Sequence, residues 1–97
     1  MKHICIRQKT EITGLSTEEF VIKSFHFDDS RQAYDEFFSI QNYWRKCASS
    51  YNDDVSCTFK IFYENEEYGP HQGFFYTKSA KYGDFKVKIT VTIEHID

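Results

Sequence analysis

The sequence predicts a two-layer α+β sandwich, in which one helix crosses one face of a five-stranded antiparallel sheet. Two observations carry this prediction. Five segments have the composition or the alternation of β-strands, and one long segment has apolar residues at three- and four-residue steps. With 97 residues, 40% of them hydrophobic and 28% charged, the chain has the size and composition of one folded domain. We therefore expect residues 1–97 to form a single α+β domain.

The first two strands are predicted to form a hairpin. Lys2 to Ile12 alternates between apolar and polar residues, and a glycine turn follows it. Phe20 to Phe27 is rich in β-branched and aromatic residues, which favours a second strand. An alternative exists for residues 16–26, because Ser16 with Glu19 fits a capping box that would start a short helix. The strand is the favoured interpretation.

The single helix is predicted from about Ser30 to Ser49. Apolar residues recur there at helical spacing, and Asp28 or Asp29 is expected to cap the N-terminus. Arg45 and Lys46 fall in the last turn, where cations interact favourably with the helix dipole. The residues predicted to face the core are Ala33, Tyr34, Phe37, Phe38, Ile40, Trp44, Cys47 and Ala48.

Three further strands follow the helix. Val55 to Glu64 alternates regularly, Asn65 to Gly73 has the composition of a turn, and Phe74 to Ala80 is a fourth strand. Phe85 to Ile96 alternates almost without fault, and its length suits a central strand. In the third strand the residues predicted to face the core are Val55, Cys57, Phe59, Ile61 and Tyr63.

This order of elements, ββαβββ, predicts the topology of the sheet. A helix of about 30 Å is as long as the strands and carries the chain from one end of the sheet to the other. With the fifth strand beside the first, the spatial order becomes 2-1-5-4-3, and the helix forms a right-handed crossover on one face. The other face, here called the open face, is left to water or to a partner.

That topology predicts an acidic end of the molecule, which the mild net charge of −3 conceals. The carboxylates gathered there are Asp28, Asp29, Asp35, Glu36, Glu64, Glu66, Glu67, Glu94 and Asp97. Only Lys2 and Arg31 oppose them. Acidic residues also stabilise helix starts, so part of the cluster has a structural explanation. Its functional interpretation is a surface that replaces nucleic-acid phosphates in a basic groove.

The aromatic residues predict a second candidate surface. Ten Phe, seven Tyr and one Trp are more rings than so small a core can bury. Phe62 falls on the open face, together with either Phe74 or Phe75 and with Tyr68 nearby. Such rings can anchor a protein partner, or pack against a loop or a second copy of the chain. They can also stack on nucleic-acid bases beside lysines, but the motif and element order of RNA-recognition sheets are absent, so direct nucleic-acid binding is not favoured.

Other classes of protein are disfavoured by the sequence. No apolar run has the length of a membrane span, and the N-terminus lacks the core of a signal peptide. Three cysteines do not suggest a disulfide framework, so we expect a cytoplasmic protein. The histidines and cysteines follow no zinc spacing, the acids follow no calcium-loop spacing, and four scattered glycines make no phosphate loop. We therefore expect no catalytic residues, no metal and no cofactor, and a protein that is not an enzyme.

In size, charge distribution and aromatic content the chain resembles the small inhibitors encoded by phages and mobile elements, including anti-CRISPR and anti-restriction proteins. The resemblance implies a non-catalytic protein of the host cytoplasm that occludes a basic host nuclease or nucleoprotein complex. The residues expected to contact a partner come from the charge and aromatic patterns: Asp28, Asp29, Asp35, Glu36, Glu64, Glu66, Glu67, Phe62 and Tyr68. The alternatives are a nucleic-acid-binding sheet, a structural protein that forms homodimers through its open face, and an immunity protein against a basic toxin.

Overall fold

The computed structural model describes residues 2–49, 55–66, 69–80 and 86–96, and it confirms the predicted α+β sandwich. The elements are β1 (His3–Ile12), β2 (Ser16–His26), α1 (Ser30–Ser49), β3 (Val55–Glu66), β4 (Gly69–Ala80) and β5 (Lys86–Ile96). All neighbouring strands pair antiparallel, and the order β2-β1-β5-β4-β3 is the predicted one. The helix α1 has the predicted bounds.

Residues 16–26 form a strand, so the alternative of a short helix is wrong. Pairing with β1 along the whole of β2 outweighs the local capping pattern, because strand preference depends mainly on cross-strand neighbours. The pairing is interrupted once. Ile6 pairs with Lys23 and Arg7 with Val21, which leaves Ile22 without a partner in β1. This extra residue is a bulge in the outer strand of the sheet.

The predicted turn from Asn65 to Gly73 is wrong. β3 and β4 pair in continuous register from Val55 with Ala80 to Glu66 with Gly69, so two residues separate the strands. The glycine-, proline- and glutamate-rich composition predicted a loop. Backbone pairing with β3 from Gly69, and also with β5 from His71, extends the strand instead.

The chain enters α1 through a 3₁₀ turn, Phe27–Asp29, which the sequence did not predict. Asp28 and Asp29 lie inside this turn, and its N-cap is His26, whose Nδ1 accepts a hydrogen bond from the Asp28 backbone N–H at 3.2 Å. Asp28 and Asp29 directly precede α1, and His26 caps the 3₁₀ turn rather than α1 itself. That Asp28 or Asp29 caps α1 therefore stays a prediction.

The core lies between α1 and one face of the sheet. Its buried side chains are Ile4, Ile6, Ala33, Phe37, Phe74, Tyr76, Ile89, Val91 and Ile93. β5 contributes three of them because it is central and alternates regularly, so that every second residue faces the helix. The regular alternation that marks β5 in the sequence is thus the pattern of its buried face.

One end of β3 is not covered by the helix. Ile61 and Tyr63, predicted to face the core, are 48% and 59% exposed. The reason is the diagonal course of α1. Near its start, the Tyr34 hydroxyl is hydrogen-bonded to His95 Nε2 of β5 at 3.0 Å, whereas near its end the Arg45 guanidinium lies 5.3 Å from a ring of β3. The helix therefore crosses β3 only near the beginning of that strand.

Candidate interaction surfaces

Four exposed carboxylates surround the start of α1, and we call them the acidic surface: Asp28, Asp29, Asp35 and Glu36. The 3₁₀ turn holds the first two, and the second turn of α1 holds the others. No ion pair joins Asp29, Asp35 or Glu36 to another residue in the part of the chain that the structure describes. Their charges are therefore not neutralised by a partner within this part.

The imidazole of His26 contacts the acidic surface. Its Nδ1 lies 3.3 Å from the Asp28 carboxylate, whose side chain is 83% exposed. The same nitrogen accepts the Asp28 backbone N–H, and a nitrogen that accepts a hydrogen bond carries no proton of its own. In this arrangement the imidazole fixes the turn without offering a charged N–H to the carboxylate. Asp28 thus keeps its negative charge facing solvent.

The remaining predicted acids are distributed differently. The backbones of Glu64 and Glu66 lie at the end of β3, at the same end of the sheet as the start of α1. Glu67, Asp97 and the predicted aromatic neighbour Tyr68 lie outside the described residues. Glu94 does not belong to the acidic surface. Its carboxylate lies 3.5 Å from Arg7 Nε and accepts a hydrogen bond from the Thr92 hydroxyl at 3.3 Å.

Arg7 organises the open face around β1 and β5. Its guanidinium lies between two carboxylates, 3.5 Å from Glu94 and 3.9 Å from Glu19. Lys9, two residues further along the same face, is 3.6 Å from Glu11. These contacts join two cations to three carboxylates, so most of the charge in this half of the open face is compensated and a small negative excess is left.

Phe62 and Phe75 form a stacked pair on the other half of the open face. Their ring centroids are 4.7 Å apart with an interplanar angle of 29°. The Lys88 ammonium lies 4.6 Å from the centre of the Phe75 ring, a cation–π distance. Of the two candidates the sequence left open, Phe75 faces outward and Phe74 is fully buried. Each ring of the pair is half-buried, because each covers part of the other.

An apolar surface that the sequence did not predict lies between α1 and β3, and we call it the β3 strip. It consists of Phe38, Ile61 and Tyr63, whose exposed fractions are 44%, 48% and 59%. The rings of Phe38 and Tyr34 are in contact, and burial together with the nearby Tyr63 phenol raises the pKa of Tyr34. Helical and strand periodicity assigned all these residues to the core. Only the crossing angle of the helix would have revealed their exposure.

The described residues contain no group of three or more His, Cys, Asp or Glu side chains arranged to hold a metal ion. Two of the thiols contact hydroxyl groups. Cys5 Sγ lies 3.4 Å from the Ser24 hydroxyl, and Cys57 Sγ lies 3.7 Å from the Tyr76 hydroxyl. These contacts suit small side chains that are buried, as Cys5 is, or partly buried, as Cys57 is, rather than a thiol activated by a neighbouring histidine.

A shallow groove of about 290 Å³ lies at the end of the sheet opposite the acidic surface. Its lining residues are Glu11, Ile12, Thr13, Thr17, Lys86 and Lys88. The groove mixes one carboxylate with two ammonium groups and has no buried polar group directed into it. It therefore offers no defined subsite for a small ligand.

No helix in the described ranges combines the length and the apolar character that crossing a bilayer requires. Comparisons of the chain with protein-family models, with curated proteins and with solved structures found no match. The functional interpretation therefore depends on the surfaces themselves.

Proposed function

We propose that the protein is a non-catalytic inhibitor that blocks a basic nucleic-acid-binding surface of a host defence nuclease or nucleoprotein complex. The observation that carries the proposal is the acidic surface, where Asp29, Asp35 and Glu36 are exposed and have no ion-pair partner among the described residues. Lys and Arg side chains that bind phosphates also bind carboxylates, so such a surface can occupy their groove.

The placement of these charges favours long-range attraction. They are concentrated at one end of a chain whose formal net charge is only −3, so the local field exceeds what the net charge suggests. Electrostatic complementarity of this kind mainly increases the rate of association and the selection of the partner. We therefore expect binding to a basic target that weakens as the ionic strength rises.

Exposed rings beside the carboxylates supply the apolar component of the interface. Phe27 precedes Asp28 in the 3₁₀ turn, and Phe38 lies three residues after Asp35 on the same side of α1. Phe27 and Phe38 are each 44% exposed. Protein interfaces combine such aromatic anchors with a polar rim. These two residues extend the sequence-based set, in which only Phe62 and Tyr68 were aromatic.

The experiment that tests the proposal is capture of partners from host lysate by the tagged protein, with and without nuclease treatment. Nuclease-resistant capture of one basic nucleic-acid-handling protein or complex is the expected result. A reconstituted assay with that target should then show stoichiometric loss of its nucleic-acid binding. Capture that disappears after nuclease treatment would contradict the proposal.

A matched pair of variants assigns the effect to the acidic surface. The combined substitutions Asp29→Asn, Asp35→Asn and Glu36→Gln should weaken target binding at least tenfold, because three unpaired carboxylates are lost. The control Glu11→Gln, Glu18→Gln and Glu19→Gln changes the net charge equally at the other end of β1 and β2 and should leave binding unchanged. Isothermal titration calorimetry measures both affinities, and thermal unfolding should show melting temperatures within a few degrees of the parent. Equal losses of target affinity in the two triple variants would show that binding depends on the total charge of the protein and not on the acidic surface.

A second candidate function has its own observation. The stacked Phe62–Phe75 pair with Lys88 at 4.6 Å from Phe75 is the combination that single-stranded nucleic acids use, with a ring for a base and a cation for a phosphate. Fluorescence anisotropy with labelled single-stranded DNA and RNA discriminates the two functions. Salt-sensitive binding that is lost on Phe75→Ala would favour the sheet, whereas no binding would favour the inhibitor.

A further inference from the structure

The two edges of the sheet differ in how they are protected against pairing with another strand. The β2 edge carries the bulge at Ile22 and three exposed charges, Glu18, Glu19 and Lys23. Bulges and charged side chains are the features by which natural sheets prevent edge-to-edge association. The β2 edge is therefore closed to an added strand.

The β3 edge has neither form of protection. β3 pairs with β4 in unbroken register over its 12 residues, and no described strand lies beyond it. From Val55 to Tyr63 its only charged residue is Lys60. A long, regular and mostly apolar edge strand presents a row of backbone N–H and C=O groups to which another strand can pair.

Apolar side chains are exposed on both faces of the sheet at this same part of the edge. On the helix side lies the β3 strip, with Ile61 and Tyr63 about half exposed. On the open face lies the half-buried Phe62, stacked on Phe75. A strand added here would cover apolar groups on both faces, as well as pairing with the backbone.

We propose that the occupant is a second copy of the chain, whose β3 pairs antiparallel with this one about a two-fold axis at Phe62. In that register Phe62 of one protomer faces Phe62 of its partner on the open face. Ile61 faces Tyr63 on the helix side, so the exposed residues of the β3 strip cover each other. Lys60 of each copy faces residue 64, a glutamate, of the other, and opposite charges across a strand pair stabilise it.

The neighbouring symmetric registers are less favourable. Centring the pair on Lys60 places two ammonium groups opposite each other, and centring it on Glu64 does the same with two glutamates. Centring on Ile61 leaves Lys60 opposite Phe62, and centring on Tyr63 places Phe62 opposite Glu64. The register centred on Tyr63 also places Lys60 opposite a glutamate, at residue 66, but it leaves Phe62 without an apolar partner. Only the register centred on Phe62 gives each residue from 61 to 63 an apolar partner and also pairs Lys60 with a glutamate. A symmetric interface of this kind closes on itself, which gives a dimer with a continuous ten-stranded sheet.

The dimer is independent of the proposed inhibitor function. Because the two β3 strands run antiparallel, the acidic surfaces of the two copies lie toward opposite ends of the joined sheet. The dimer interface involves none of the four carboxylates of the acidic surface. Dimerisation can therefore fail while target binding persists, and the reverse also holds.

Sedimentation velocity over a range of protein concentrations tests the proposal. The parent protein should change from monomer to dimer as its concentration rises. Ile61→Lys should raise the dissociation constant at least tenfold, because it places a cation opposite Tyr63. Val21→Lys is the matched control, since Val21 is 45% exposed on the β2 edge, and it should leave the dissociation constant unchanged. A parent protein that stays monomeric at all concentrations would overturn the proposal, as would equal effects of the two substitutions.

A charge exchange tests the register. Lys60→Glu should weaken the dimer by placing two glutamates opposite each other, and adding Glu64→Lys should restore it. Mixed-label NMR of the unsubstituted protein provides a test that requires no variant. Contacts between Ile61 of one copy and Tyr63 of the other are expected. Intermolecular contacts at Thr90 and Thr92 instead would place the interface on the open face and overturn the edge-paired dimer.

Discussion

At the scale of single residues, Gly73 explains how the open face accommodates an aromatic pair. Gly73 is buried opposite Phe62 in the β3–β4 ladder, and the Phe62 ring lies over it. A Cβ at this position would lie 2.6 Å from Phe62 Cζ and would also collide with the Val91 carbonyl oxygen. The glycine thus creates the space in which Phe62 packs flat against the sheet and stacks on Phe75.

We expect Gly73→Ala to lower the free energy of unfolding by about 1–3 kcal/mol, as overpacking does in a closed site. The backbone oxygen of Val91 belongs to a central strand and has little freedom to move. Ser79→Ala, in the same strand and on the same face, is the control and should stay within about 0.5 kcal/mol of the parent. Urea titrations measure the free energy of unfolding of both variants. In a Phe62→Ala background the ring is absent, so Gly73→Ala should destabilise the protein less than it does in the parent, but the clash with the Val91 carbonyl should remain. If Gly73→Ala costs nothing in that background, the carbonyl is not an obstacle.

Tyr76 is the most strongly perturbed titratable group among the described residues for which a shift is resolved. Burial, the hydrogen bond with Cys57 and the neighbouring ionisable groups raise the pKa of Tyr76 from 10.0 to about 12. The folded state therefore retains the phenol proton at a pH at which the unfolded chain releases it. The stabilisation is complete below pH 10 and is lost as the pH rises toward 12.

Tyr76→Phe should accordingly reduce the fall in unfolding free energy between pH 10 and pH 12, because it removes the linked proton. Tyr43→Phe, at a side chain that is 62% exposed, is the control and should change the pH dependence much less, because Tyr43 is the smallest of the contributors that raise the pKa of Tyr76. Urea titrations at each pH provide the comparison. If the unfolding free energy falls with pH equally steeply in the parent and in Tyr76→Phe, the phenol ionises equally in the folded and the unfolded state.

At the scale of elements, the helix is held by residues of unequal importance. Phe37 is 1% exposed, and its ring lies 5.9 Å from the ring of Phe74 in β4. Trp44, which the sequence places on the same helical stripe, is only partly buried, with its ring 4.8 Å from that of Tyr76. The difference follows from the diagonal course of α1, which brings its middle over the centre of the sheet and its end over the margin.

We expect Phe37→Ala to cost about 3–5 kcal/mol of unfolding free energy, as large aromatic deletions from packed cores do. Trp44→Ala should cost less, because part of the indole remains in water in the folded state. Since Trp44 is the only tryptophan, far-ultraviolet circular dichroism is the appropriate probe for both titrations. A larger loss for Trp44→Ala would place the centre of the core near the end of the helix.

At the scale of the whole molecule, the functional candidates occupy different surfaces. The acidic surface lies at the start of α1, the stacked aromatic pair lies on the open face, and the β3 strip lies between α1 and the edge strand. Phe62 also lies at the centre of the proposed dimer, and Phe38 of the β3 strip also belongs to the proposed inhibitor interface. The substitutions that separate the functions are therefore those of Asp29, Phe75 and Ile61, each of which affects one surface. Inhibition, nucleic-acid binding and dimerisation can therefore be tested separately on the same protein.

The sequence by itself determined the strands, the helix and their spatial order. Alternation in β5 and the apolar stripe of α1 are local patterns, and the short connections between elements leave few topologies open. It also determined that Phe62 faces away from the helix, since neighbouring strand residues point to opposite faces. The acidic character of the helix start follows from the order of residues along the chain.

The tertiary structure decided what local patterns do not encode. Periodicity assigns Ile61 and Tyr63 to the helix side of the sheet, but the crossing angle of α1 leaves them exposed. Composition predicts a loop from residue 65, but the pairing of β3 with β4, joined from His71 onward by pairing with β5, makes it strand. The charge of Glu94 was visible in the sequence, whereas its partner Arg7, 87 positions away, was not. These outcomes depend on strand pairing and packing geometry rather than on residue type or local composition.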